Sequence, residues 1–174
     1  REQQNQQSGD QDNACLCGHE WEHWRNNNIL LNMRIRVDWM TAADAFAAIA
    51  LAAVACDGTL GREEAHALRR QLEYRSFYRG CSDAEMGQLF DRLLRLLREQ
   101  GVQGLIRSSL PDLSSHQQRC ALAVASHLVH ADRKVTEEEI AFLDQLTLQV
   151  SLPDDEARMV VKAIEALNSD MLGG

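Results

Sequence analysis

The sequence predicts an all-α fold of six or seven helices, and three observations carry that prediction. Starts of the form Ser/Thr-x-x-acid/amide recur from residue 41 onward, where the cap hydroxyl and the N3 side chain each satisfy an orphan amide. Apolar residues recur at i, i+3, i+4 and i+7. No stretch alternates apolar and polar residues over the length of a strand.

Thr41 with Asp44 opens a first helix at about 42–56, and a second follows at about 62–77 with Glu63 and Glu64 in its first turn. Ser82 with Glu85 opens a third at about 83–99, whose face is Met86, Leu89, Phe90, Leu93, Leu94 and Leu97. A short helix is expected near 102–109. Ser115 with Gln118 opens the next at about 116–131, and Thr136 with Glu139 opens 137–150. Pro153, followed by Asp154, Asp155 and Glu156, reads as proline at the first position of a last helix over 153–168. That helix carries Ala157, Val160, Val161, Ile164 and Leu167 on one side. Ala45–Cys56 and Cys120–Ala131 are apolar almost all round, so they are expected at the centre of the bundle.

Composition narrows the function classes. The 174 residues carry 26 Asp+Glu against 18 Lys+Arg, a net charge of -8, which disfavours non-specific binding to nucleic acid or anionic lipid. Five cysteines at irregular spacing do not form a disulfide framework, and the first residues lack a signal peptide's apolar core. The longest uncharged apolar run ends at Cys56, short of the roughly 20 residues a membrane span needs. A cytoplasmic protein without a transmembrane segment is expected. Residues 1–40 read as a flexible or loosely docked extension to a helical domain at 41–174, because Gln, Asn and charge dominate the first dozen positions. The start at Arg1 is expected of a fragment or a processed chain. Cys15, Cys17, His19 and His23 form a thiolate and imidazole cluster in that extension, although their spacing departs from the usual zinc-site pattern.

An internal repeat supplies the strongest functional signal. Val54–Ala65 (VACDGTLGREEA) aligns with Val129–Ile140 (VHADRKVTEEEI), pairing Asp57 with Asp132, Leu60 with Val135, Glu63 with Glu138 and Glu64 with Glu139. Arg133 stands where the first copy has Gly58. In both copies a buried-type helix ends at the Asp, a loop follows, and an acidic helix begins, so the domain reads as two duplicated helical hairpins. A carboxylate at a helix C-terminus is electrostatically unfavourable unless something positive compensates. If Asp57 and Asp132 converge with Glu64 and Glu139 across the loops, they form an oxygen-rich cage of the kind hard divalent cations select. Glu63 and Glu138 are reserve ligands. A plainer account stands beside this one: Glu139 is the N3 partner of Thr136, Glu64 favours the helix dipole, and Asp57-Gly58 is a common turn dipeptide.

A helix ending Ala-x-Ala-Asp-Gly, then an aliphatic residue and a Glu opening the next helix, resembles the TerB-like (tellurite resistance) family. The resemblance covers about Thr41 to Asn168. It implies a small helical metal-binding protein of bacterial stress response, with a related module in DnaJ-type co-chaperones. It also implies Asp57, Glu64, Asp132 and Glu139 as ligands of a divalent cation, Ca²⁺ first, with Mg²⁺ or Mn²⁺ as alternatives. Tellurite itself, an oxyanion, would be repelled by such a cluster.

Other constellations are weaker. His127 and His130 precede Asp132 on a central helix, where a hydrogen-bonded, partly buried histidine is the plainer account. Arg69, Arg70, Arg75 and Arg79 interleave with Tyr74, Phe77 and Tyr78, most simply as a solvated face paired with Glu73, Asp91 and Glu99. No nucleophile elbow, P-loop, dinucleotide fingerprint or His-Glu-x-x-His is present, so a binding protein is expected rather than an enzyme. A metal-free helical adaptor for protein partners is the alternative, and a metal-dependent hydrolase the remotest reading.

Overall fold

Thr41 opens the first helix by a reciprocal cap. The Asp44 amide donates to Thr41 Oγ1 at 3.1 Å, and the Asp44 carboxylate accepts from the Thr41 amide at 3.1 Å and from its hydroxyl at 2.6 Å. The computed structural model describes residues 40–58, 60–131 and 134–169. Among these there are six α-helices and no strand: α1 (Ala42–Val54), α2 (Arg62–Glu73), α3 (Asp83–Ser109), α4 (Ser115–Val129), α5 (Glu137–Gln149) and α6 (Asp154–Asn168). Single 3₁₀ turns at Ser76–Tyr78 and Leu110–Asp112 flank α3. The extension expected over residues 1–40, with its zinc candidates Cys15, Cys17, His19 and His23, lies outside the described residues except for Met40, which is buried against the core.

The repeat is visible in the helix boundaries. Val54 and Val129, aligned in the sequence, end α1 and α4, while Arg62 and Glu137, also aligned, begin α2 and α5. As its all-round apolar sequence requires, α1 is central: every residue from Asp44 to Ala53 is buried. It packs most extensively on α3 and α4, and α4 packs in turn on α6. Alanines at most of these positions let the neighbouring helix axes approach closely, because a methyl group leaves little to displace. Asp44 is the charged residue in this buried run, and its second carboxylate oxygen accepts from Arg92 Nη2 on α3 at 2.8 Å. The cap of α1 is therefore also an ion pair to α3. Tyr78 adds a third tie, donating its phenol to the Ala43 carbonyl at 2.6 Å.

Several boundaries differ from the sequence reading. Helix α2 stops at Glu73, and its expected last turn is the 3₁₀ turn that buries Tyr78. The break expected between 99 and 102 is present as a kink inside α3, where Gly101 adopts φ 67° and ψ 176°. Those angles are open to glycine at little cost and strained for other residues. Ser114 with Gln117, not Ser115 with Gln118, caps α4. Pro153 is the residue before α6 rather than its first member. On α6 only Ala157 is buried, while Val160, Val161 and Ile164 are half-buried and Leu167 is exposed. Packing against α4 and α5 thus covers the start of α6 and leaves the end of its apolar face uncovered. No described helix is long and apolar enough to cross a membrane.

Candidate metal centre

The loop after α1 places the first sequence-predicted ligand. The Ala55 amide donates to the Leu51 carbonyl at 3.1 Å, and the Gly58 amide donates to the Ala55 carbonyl at 3.1 Å. Gly58 takes φ 85°, a left-handed conformation that turns the chain away from the helix axis. Asp57 lies in this turn, beyond the cap, with its side chain exposed. This corrects one premise of the sequence reading: the helix ends before the Asp rather than at it, and the carboxylate stands in solvent in the turn that follows.

Beside Asp57 is a residue that the sequence placed only at the end of the apolar run Ala45–Cys56. Cys56 is half-buried and donates its thiol to the Ala53 carbonyl at 3.1 Å. Burial, then the negative charges of Glu139 and Asp57, push this thiol from 9.0 up to about 12. Glu139 belongs to the second repeat, so the first turn of α5 lies close enough to the end of α1 for its charge to be felt there. Glu64, seven positions after Asp57 in its own copy, is not among the charges acting on Cys56. The charges felt by Cys56 therefore come from both copies of the repeat, the Asp of one and the Glu of the other.

The sign of the thiol shift yields a test. The folded chain holds its proton to higher pH than the unfolded chain, so Cys56 opposes folding progressively as pH climbs from about 9 toward 12. In cation-free buffer at pH 8.5, alkylation of Cys56 is expected to run at least roughly tenfold slower in the folded chain than in urea, because the thiolate reacts. Equal rates in the two states would mean that the thiol is open.

Both glutamates have a second occupation. Glu139 Oε2 accepts from the Thr136 amide at 2.8 Å, and the Glu139 amide donates to Thr136 Oγ1 at 3.2 Å. Glu64 Oε2 accepts from the Gly61 amide. The plainer account assigned this helix-capping role to Glu139, and the structure adds one for Glu64, for which it expected only a favourable place in the helix dipole. Glu63, Glu64 and Glu138 are exposed, and Glu139 is half-buried. Asp132, the fourth predicted ligand, lies outside the described residues. Among the described residues, no group of three or more His, Cys, Asp or Glu side chains is arranged to hold a metal ion. As donors for a hard cation, Asp57 and Glu139 are chemically suitable, and the Oε1 atom of Glu139 is not the one used in the cap. Two carboxylates alone do not make a closed cage.

The weaker constellations resolve into structural roles. His130 Nδ1 donates to the Ser126 carbonyl at 2.7 Å, within its own helix. Arg69 pairs with Glu73 at 2.6 Å and with Asp83, and Arg75 stacks over the Phe46 ring at 5.9 Å from its centroid. Much of the arginine and aromatic stretch thus fastens the turn after α2 to the bundle. No family model, curated protein or solved structure matches the chain.

Proposed function

We propose that this chain is a TerB-like binding module of bacterial stress response, not an enzyme, whose two hairpins share one divalent-cation site at the pole where α1 ends and α5 begins. The observation that carries the reading is that Asp57 and Glu139, one acid from each copy, both bear electrostatically on the Cys56 thiol at the end of α1. Asp132 and Glu64 would complete the set from the remaining halves of the two copies. Ca²⁺ suits such oxygen donors and tolerates irregular coordination, whereas Mg²⁺ demands near-octahedral geometry and Mn²⁺ also accepts carboxylates. An open site predicts modest affinity.

Calorimetric and thermal titration of the full chain with Ca²⁺, Mg²⁺ and Mn²⁺ tests this. A cation that binds only the folded state adds about 2.7 kcal/mol at a hundredfold excess over Kd, which raises Tm by roughly 5–10 °C. Asp57→Asn combined with Asp132→Asn should remove that response while leaving the unfolding temperature in chelator close to that of the parent. An unchanged response in the double variant would overturn the site.

A second reading, a metal-free adaptor of the co-chaperone kind, is favoured by a specific observation. Leu148 on α5 is 76% exposed, and Met159 and Leu167 on α6 are 65% and 74% exposed. With the glutamates occupied as caps, absence of heat or stabilisation with all three cations would favour this reading.

A further inference from the structure

We propose that the cleft between the end of α3 and the α5–α6 connection binds a small aliphatic carboxylate. It has a volume of about 380 Å³, within the range of small-molecule sites, and is lined by Arg107, Leu110, Pro111, Gln118, Gln149 and Ser151. None of the residues named for the carboxylate pole contributes to it.

Its charge is opposite to that of the chain. The protein carries a net charge of -8, yet no carboxylate lines this cleft. Three arginines elsewhere are matched to acids, Arg69 to Glu73, Arg92 to Asp44 and Arg119 to Glu156, and none of these three lines the cleft. Arg107 has no acid partner among the described residues, although it is exposed at the cleft's edge. A guanidinium presents parallel N–H donors that match a carboxylate in two-point geometry.

The walls are fixed before any ligand arrives. The Gln118 side chain is buried, and its Nε2 donates to the Leu110 and Leu113 carbonyls, both at 3.0 Å. Its Oε1 accepts from the Ser151 amide at 2.6 Å. One amide therefore clamps the turn after α3, the start of α4 and the α5–α6 connection. Gln149 Nε2 donates one N–H to Gln103 Oε1 at 3.1 Å, which leaves its second N–H to donate to a ligand carboxylate. Leu110 and Pro111 supply an apolar flank for a short hydrocarbon tail. Together these features select a compact anion with an aliphatic body over a bare inorganic ion.

The test is an NMR titration of the full chain with three probes: 4-methylpentanoate, the uncharged 4-methylpentan-1-ol, and inorganic phosphate. The carboxylate should shift the amides of Arg107, Ser151 and the Leu110–Leu113 turn, with the alcohol and phosphate binding more weakly. Arg107→Gln should weaken carboxylate binding at least roughly tenfold, since one charge-assisted contact is lost. Gln149→Ala, which keeps the cation, should weaken it severalfold, and Arg95→Gln, outside the cleft, should leave it unchanged. No carboxylate binding, equal binding by Arg107→Gln, or an equal loss with Arg95→Gln would each overturn the proposal. Phosphate binding as tightly as the carboxylate would overturn the assigned ligand class.

Discussion

Replacing Ile49 with alanine is expected to lower the free energy of unfolding by about 3–4 kcal/mol, as burial of a large aliphatic side chain at a site unable to collapse requires. Ile49 is fully buried on α1, with buried residues before and after it along the helix. Its neighbours in the helix are alanines, which have no length to reorient into a void. For a domain of this size the change should appear as a fall in Tm of roughly 10 °C, with the denaturant m-value unchanged. A loss below about 1 kcal/mol would mean that α1 is not the packed centre of the bundle.

Gln118→Met carries the second large effect, and for a different reason. Methionine preserves length and approximate volume but offers none of the three hydrogen bonds that Gln118 makes to Leu110, Leu113 and Ser151. The Leu113 carbonyl and the Ser151 amide lose their partner, while the Leu110 carbonyl keeps the Leu113 amide at 3.2 Å, at a site where Gln118 itself is buried. At 1–3 kcal/mol for each group that water cannot reach, and with some rescued by solvent at the cleft, a loss of about 3 kcal/mol is expected. Chemical denaturation measures it, and hydrogen exchange should show the Ser151 amide losing protection. A variant as stable as the parent would mean that solvent already serves these groups.

Gln118 also shows where reading the sequence stopped. Ser114-Ser115 and Gln117-Gln118 offer two capping registers one residue apart, and local chemistry does not separate them. The structure selects Ser114 with Gln117, which frees Gln118 to turn inward and bridge segments up to 33 residues away. Where no such competition existed, at Thr41, Ser82 and Thr136, the capping pairs follow the sequence signal. The all-α class and the central placement of α1 were legible for a related reason: a helix apolar on every side has nowhere else to go.

The candidate site was less legible. Sequence pattern identified the acids and, separately, their capping duties, both of which are local. It could not say that the charge of Glu139 is felt at the end of α1, because that depends on how two distant segments are brought together. It also placed Cys56 at the end of an apolar run, without the charges of Asp57 and Glu139 that shift its thiol. The corrected position of Asp57, in a turn beyond the helix cap, came from three-dimensional geometry that the Asp-Gly dipeptide only suggests.

The surroundings of α1 have a consequence for how the molecule assembles. Its chief packing partners are α3 and α4, while its own hairpin mate α2 contributes much less. Neither duplicated half therefore encloses a core of its own, and a chain shortened to the first half would leave α1 without one of its two main supports. The sequence repeats, but cooperativity does not: the halves form a single folding unit, closed by contacts between residues far apart along the chain. Nucleation is accordingly expected to wait on long-range encounter rather than on either hairpin alone, making this a slower folder than a bundle of sequence-adjacent helices.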